Sequence, residues 1–147
     1  MKAKVIKNII FSAILMCVIY YISNPMPHVE ILTVAGVMST VAGILFGFVL
    51  AAISIFSSAG SNPNGIVSSL KATNILPKLI STLLTTGTTL IFACVFSIIS
   101  MFIPETVLVK SLRLDFAMVL LGLSNLIVSI ISFIGTWRKI NWIIPHL

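Results

Sequence analysis

Charged residues are scarce in this sequence: they make up 8% of its 147 residues, and only three of them are acids. Soluble globular domains carry roughly 25% charged residues, so the composition excludes that class. Hydrophobic residues make up 59% of the chain, and its mean hydropathy is +1.20. This also excludes a disordered chain, since disordered segments have too little apolar surface to form a core. The composition indicates an integral membrane protein.

The charged residues are also absent from four long parts of the chain. Each of these parts holds at least 20 residues without Asp, Glu, His, Lys or Arg: 8–27, 31–70, 79–104 and 116–137. A helix needs about 20 residues to cross the roughly 30 Å of hydrocarbon in a bilayer. A chain in lipid must satisfy its own backbone hydrogen bonds, so each crossing is expected to be helical.

Turn-forming residues divide the apolar parts from one another. Pro25 and Pro27 interrupt the first connection, the segment 61–65 (SNPNG) the second, and Pro104 closes the third helix. The sequence therefore predicts an all-α integral membrane protein, folded as one domain (1–147) that is a four-transmembrane-helix bundle. The predicted helices cover about 6–23, 31–57, 79–103 and 116–137.

The distribution of Lys and Arg predicts the orientation of the bundle. With the N-terminus inside, the inner segments carry seven of the nine Lys and Arg residues and the outer segments two. The positive-inside rule then places both termini in the cytoplasm. The inner side comprises a loop at 59–78 and an interfacial tail at 138–147. Their basic residues are candidates for contacts with lipid or a cytoplasmic protein partner: Lys71, Lys78, Arg138 and Lys139.

Plain anchoring at the membrane surface is the simpler interpretation of these two inner segments. Nucleic-acid binding is not expected, because the basic residues are dispersed along the inner rim and form no patch.

The second predicted helix carries small residues on one face. Steps of four and three residues relate Gly36, Thr40, Gly43, Gly47 and Ala51. Lipid gives helices no hydrophobic reason to associate, so faces of small residues mark close contacts between membrane helices. Two interpretations stay open: packing against the first or third helix, and an interface between subunits of a homo-oligomer.

The fourth predicted helix carries polar residues on one face, at Asn125, Ser129, Ser132 and Thr136. Asn125 lies near the bilayer midplane, where an unpaired amide is costly. We expect it to bond to another helix, to its own copy in a neighbouring subunit, or to water. The third helix is rich in threonine, and contacts between helices are favoured over a water-filled path for its hydroxyls.

The sequence contains no group of residues that would form a catalytic, proton-coupling or metal-binding site. A proton-coupled transporter is excluded, because no helix carries an ionisable residue deep within it. His28 and Glu30 supply two metal ligands, which do not make a closed site. No serine has a histidine and an acid beside it on the same side of the membrane. We therefore expect a protein that is not an enzyme, with no cofactor and no metal site.

The four spans, the short loops, the cytoplasmic ends and the glycine-bearing second helix (Gly43–Gly47) resemble the small four-helix membrane subunits of bacterial anti-phage systems, such as the membrane protein of the Kiwa system. The resemblance lies in architecture. It implies a multi-pass subunit of a bacterial inner membrane that oligomerises, senses disturbance of the cell envelope and works with a cytoplasmic partner that acts on phage DNA.

Two other functions remain as alternatives. One is a small pore, a holin or a channel-type effector, lined by the hydroxyl faces of the third and fourth helices. The other is a bacteriocin immunity protein, which would bind a pore-forming toxin laterally in the membrane.

Overall fold

The computed structural model describes residues 2–59, 75–109 and 112–143, with side chains described at 5–58, 75–109 and 112–138. Within these ranges the chain forms four helices and one short hairpin. The elements are α1 (Lys2–Ile22), α2 (His28–Ala59), α3 (Ile75–Phe102), β1 (Leu108–Val109), β2 (Leu112–Arg113) and α4 (Leu114–Ile143).

All four helices are long and apolar enough to cross a membrane. The qualifying segments are Val5–Ile22, His28–Ser58, Ile75–Phe102 and Leu114–Arg138, with 18, 31, 28 and 25 residues. The prediction of an all-helical chain with four long apolar helices is confirmed. Orientation and insertion into lipid stay predictions.

The helices extend beyond the predicted bounds because the flanking basic residues are themselves good helix formers. α1 begins at Lys2 rather than near residue 6, and α4 continues to Ile143, through the first six residues of the predicted tail. α3 begins at Ile75, inside the predicted inner loop, since Pro77 is tolerated in a first helical turn. Residues 60–74, which include the SNPNG turn and Lys71, lie outside the described residues.

The prolines end and begin helices as predicted. The carbonyl oxygen of Pro27 accepts hydrogen bonds from the backbone N–H groups of Glu30 and Ile31, at 3.1 and 3.2 Å, and α2 begins here. α3 ends at Phe102, two residues before Pro104. Helices usually stop before a proline because the residue preceding it is sterically kept out of the helical region.

A two-stranded hairpin between α3 and α4 is a feature that the sequence did not predict. Leu108 pairs with Arg113 and Val109 with Leu112, in antiparallel register. Strands of two residues are too short to show the alternating pattern by which a strand is recognised. The hairpin places Arg113 immediately before the first turn of α4.

Helices α3 and α4 form the central antiparallel pair of the bundle. α2 packs on α3 and to a smaller extent on α4, whereas α1 packs mainly on α4. The core therefore lies between α2, α3 and α4. Its largest buried apolar side chains are Phe116, Ile31, Leu83, Leu90, Val49 and Val119.

A close contact between α3 and α4 occurs at a glycine of α4. A Cβ atom built on Gly122 would lie 2.7 Å from the Ser97 hydroxyl and 3.2 Å from the Ala93 carbonyl oxygen, both on α3. The first separation is too short for a carbon atom and the second is tighter than an ordinary contact, so a side chain at this position would displace the Ser97 hydroxyl and press on the backbone of α3. Small residues permit such close contacts between membrane helices.

We predict that Gly122→Ala lowers the free energy of unfolding by about 1–3 kcal/mol, because overpacking forces α3 and α4 apart. Gly135 on the same helix is the matched control, since no described atom lies within 4 Å of its Cβ position. Gly135→Ala is expected to be neutral, or to stabilise by up to about 1 kcal/mol through helix propensity. Thermal unfolding in detergent, followed by circular dichroism, measures both. Equal stability of the two variants would contradict the close contact.

Candidate functional site

The small residues of α2 form a continuous face that is open in the single chain. We call Gly36, Thr40, Gly43, Gly47 and Ala51 the small-residue face. All except the half-buried Gly36 are exposed. Cβ atoms built on the three glycines would meet no described residue within 4 Å.

The direction of this face follows from the packing of α2. The helix buries a different set of positions against α3 and α4: Ile31, Ala35, Met38, Ala42 and Val49. At 3.6 residues per turn, the centres of the two sets lie about 150° apart around the helix.

The interpretation that these glycines pack against the first or third helix of the same chain is therefore not what the structure shows. The bundle brings α2 against α3 at Gly87 instead. A Cβ atom there would lie 3.3 Å from Phe46 and 3.4 Å from Val49. Large apolar side chains of α2 fill the space over this glycine, so the glycines of α2 itself are not needed inside the chain. The subunit-interface interpretation stays open.

Two serines of the predicted polar face of α4 contact α3. The hydroxyl oxygens of Ser129 and Thr89 lie 2.7 Å apart, and those of Ser132 and Thr86 lie 2.9 Å apart. Each of the two threonine hydroxyls also donates to a backbone carbonyl one turn earlier in α3. The two pairs form a short hydroxyl ladder between the antiparallel helices. Ser129, Thr86 and Thr89 are fully buried, so these hydroxyls line no open path in the single chain.

Asn125 differs from the expectation. Its side-chain Nδ2 donates to the carbonyl oxygen of Leu121 in its own helix, at 2.8 Å. Its side chain makes no hydrogen bond to the ladder, although its backbone carbonyl oxygen accepts one from the Ser129 hydroxyl, at 2.7 Å. The residue is 4% exposed and lines a cavity between α1, α3 and α4.

The candidate contacts for lipid or a partner are only partly described. Lys78 at the start of α3 and Arg138 near the end of α4 are both exposed, and the antiparallel packing brings these helix ends to the same end of the bundle. The Lys7 side chain, near the start of α1, is exposed as well. Lys71 and the side chain of Lys139 lie outside the described residues.

The opposite end of the bundle carries a cluster of charged side chains that sequence reasoning missed. Asp115, fully buried, accepts hydrogen bonds from Arg113 at 2.8 and 3.3 Å and from the backbone N–H of Phe116 at 2.8 Å. His28 Nδ1 lies 3.2 Å from the same carboxylate. Glu105, 59% exposed, lies 3.7 Å from Arg113 on the solvent side. This charged cluster joins the start of α2 to the hairpin and the start of α4.

The cluster is a network of ion pairs. The hydrogen bond from Arg113 to Asp115 raises the pKa of the guanidinium above its usual value, against the effect of burial. Glu30 is exposed, and no group of three or more His, Cys, Asp or Glu residues in the described chain could hold a metal ion. The only sequence signal for the cluster was the grouping of Arg113 and Asp115 in one loop.

No protein-family model matches the chain, and no curated protein and no solved structure is significantly similar to it. What can be assigned rests on the chain itself. Its four apolar helices suggest a multi-pass membrane protein.

We predict that Ser129→Ala lowers the free energy of unfolding by about 0.6 kcal/mol, the average for a hydrogen bond between membrane helices. Ser124→Ala is the matched control, because the buried Ser124 hydroxyl bonds only to the Leu120 carbonyl of its own helix. A double-mutant cycle of Ser129→Ala with Thr89→Val, read by unfolding in detergent, isolates the ladder. A coupling energy of zero would show that the two hydroxyls do not interact.

The charged cluster makes a separate prediction. Asp115→Asn is expected to lower the free energy of unfolding by about 2 kcal/mol, since hydrogen bonds to charged groups contribute about 1.5–3 kcal/mol. Glu105→Gln removes an acid from the exposed side of the same arginine and is expected to cost no more than about 1 kcal/mol. Thermal unfolding in detergent compares the two variants. If Glu105→Gln lowered the free energy of unfolding as much as Asp115→Asn does, the result would contradict a special contribution from the buried pair of Asp115 and Arg113.

Proposed function

We propose that this chain is a non-enzymatic subunit of a bacterial inner membrane, that it forms a homo-oligomer through α2, and that it anchors or signals to a cytoplasmic partner. The observation that carries the proposal is the small-residue face: four of its five residues are exposed, and Cβ atoms built on its three glycines would meet no described atom within 4 Å. The architectural resemblance to anti-phage membrane subunits favours a role as an envelope sensor in phage defence.

A second copy of the same chain is the occupant that fits this face best. In the hydrocarbon core, helices associate through close backbone approach, and steps of small residues such as Gly43, Gly47 and Ala51 permit it. A two-fold symmetric contact uses the same patch on both subunits, so one face is sufficient for a dimer. The Thr40 hydroxyl donates to the Gly36 carbonyl at 2.9 Å, so the face presents no unpaired hydroxyl to the opposing helix.

The charges of the described residues support the orientation and the side on which a partner would bind. Lys7, Lys78 and Arg138 are exposed at one end of the bundle, whereas Glu30, Glu105 and Asp115 lie at the other. Under the positive-inside rule the basic end faces the cytoplasm. An acidic surface of a soluble partner, or anionic lipid, would be attracted there.

No specific observation favours a pore. That alternative needs the hydroxyl faces of α3 and α4 to line a path, but in the single chain these hydroxyls bond to one another and to their own helices. The immunity-protein alternative stays a prediction, which protection of cells against a pore-forming toxin would test.

We predict that the double variant Gly43→Leu/Gly47→Leu dissociates the oligomer, because two bulky side chains hold the α2 helices of neighbouring subunits apart. The variant is expected to keep the unfolding temperature of a single subunit, since no described atom lies within 4 Å of the Cβ positions of these two glycines. Light scattering after gel filtration in mild detergent measures the mass, and thermal unfolding measures the stability of the subunit.

Gly135→Leu on α4 is the matched control, a glycine with equally open surroundings outside the small-residue face. It is expected to leave the mass unchanged. A wild-type chain that is monomeric in both detergent and nanodiscs would refute the homo-oligomer. An oligomer that survives the double variant would place the interface elsewhere on the molecule.

A further inference from the structure

A groove of about 300 Å³ lies between α2 and α4 at the basic end of the bundle, with the buried Leu83 of α3 among its lining residues. Its α2 wall contains two consecutive alanines, Ala51 and Ala52, whose short side chains leave space that larger residues would fill. Thr136 is the one lining residue with a hydroxyl, and this hydroxyl donates to the Ser132 carbonyl of its own helix at 2.9 Å. The groove therefore offers a ligand mainly apolar contacts.

The groove is open to the outside of the bundle and has the depth of one lipid leaflet. Phe48, Ile55 and Trp137 line it and are 61%, 65% and 61% exposed. Tryptophan is enriched at the boundary between hydrocarbon and headgroups, so Trp137 marks that level in a bilayer. From Phe56, near the same end, to Phe48 the groove follows α2 for about 12 Å. The acyl chains of one leaflet fill about 15 Å, half of the hydrocarbon core, and they are what meets the groove in a membrane.

The charges at this end of the bundle complement an anionic headgroup. Arg138 directly follows Trp137 in α4, and Lys78 lies in α3 between Leu83 and the start of that helix; both side chains are exposed. All three acids of the chain lie at the opposite end, so none of them repels an anion here. Lysine and arginine near a membrane surface attract anionic lipid. An apolar groove that ends at a basic rim matches a molecule with an apolar tail and an anionic head.

We propose that this groove holds one acyl chain of an anionic glycerophospholipid, whose phosphate lies at the headgroup level near Arg138 and Lys78. The inference deepens the proposed function: it rests on the membrane insertion proposed above and names the lipid that the basic end would bind. A zwitterionic lipid with the same tails fits the groove as well but is attracted less, because the positive charge of its headgroup offsets that of the phosphate.

The test adds two lipids with identical tails to the purified full-length protein in a nonionic detergent. Dioleoyl phosphatidylglycerol is anionic, and dioleoyl phosphatidylcholine is zwitterionic. Native mass spectrometry counts the lipids bound per subunit, and thermal unfolding measures the stabilisation. Phosphatidylglycerol is expected to bind as one copy per subunit, at least about five-fold more tightly than phosphatidylcholine, and to raise the unfolding temperature further.

Two charge variants distinguish this site from a general attraction to the basic end. Arg138→Gln removes a cation beside the groove and is expected to weaken the binding of phosphatidylglycerol about five-fold, with little effect on phosphatidylcholine. Lys7→Gln is the matched control, because Lys7 is exposed at the same end but its helix, α1, contributes no residue to the groove. This control is expected to bind phosphatidylglycerol like wild type.

A third variant tests the groove itself. Ala52→Leu places a larger side chain in the space that the acyl chain needs, so it is expected to lose the tight binding of phosphatidylglycerol. Gly135→Leu adds bulk to the exposed surface of α4 outside the groove and is expected to bind like wild type. Thermal unfolding without added lipid checks that Ala52→Leu is folded. If it is not, the comparison of Arg138→Gln with Lys7→Gln still decides.

Four results would overturn the proposal: phosphatidylglycerol binding no tighter than phosphatidylcholine, undiminished binding by a folded Ala52→Leu, equal weakening by Arg138→Gln and Lys7→Gln, or binding only by the double variant Gly43→Leu/Gly47→Leu. The last result would mean that a neighbouring subunit covers the groove. The mass measured in the same experiment keeps the two proposals apart. A monomeric chain that binds phosphatidylglycerol as described would refute the homo-oligomer alone, and an oligomer without lipid preference would refute the lipid site alone.

Discussion

The contact between α3 and α4 is the constraint on which the rest of the bundle depends. In lipid no hydrophobic force presses helices together, so their association rests on close packing and on hydrogen bonds. Gly122 supplies the first, by letting α4 lie directly against the Ala93 carbonyl. The pairs Ser129–Thr89 and Ser132–Thr86 supply the second, on the same side of α4. α2 then packs against this pair, and α1 lies mainly on α4.

Hydrogen bonds within each helix satisfy the polar side chains that this arrangement buries in an apolar medium. Threonine and serine hydroxyls throughout α3 donate to carbonyls three or four residues earlier, so none of them depends on a partner to be satisfied. A hydrogen bond from one of these hydroxyls to α4 therefore adds to a bond that the hydroxyl already makes within α3. Among the described residues, the buried Ser12 hydroxyl of α1 is the exception, because no hydrogen-bond partner lies within reach of it.

The sequence predicts whatever is encoded within one helix or by the absence of charge. The number of helices, their breaks at Pro27 and Pro104, and the shared polar face of Ser129 and Ser132 all follow from local spacing. The meeting of His28 with Asp115 could not be predicted, because 87 residues separate them and only the packing of α2 beside α4 unites them. Periodicity likewise showed that the α2 glycines share a face, but not whether that face points into the bundle.

The two ends of α2 have different surroundings. At its start, His28 joins the charged cluster, which holds the helix to α4 and the hairpin. Towards its other end, Gly43, Gly47 and Ala51 are exposed and form the proposed subunit contact. Breaking the buried pairing at Asp115 would therefore free the start of α2 from α4 and the hairpin, and it would have no direct effect on the exposed residues further along the helix.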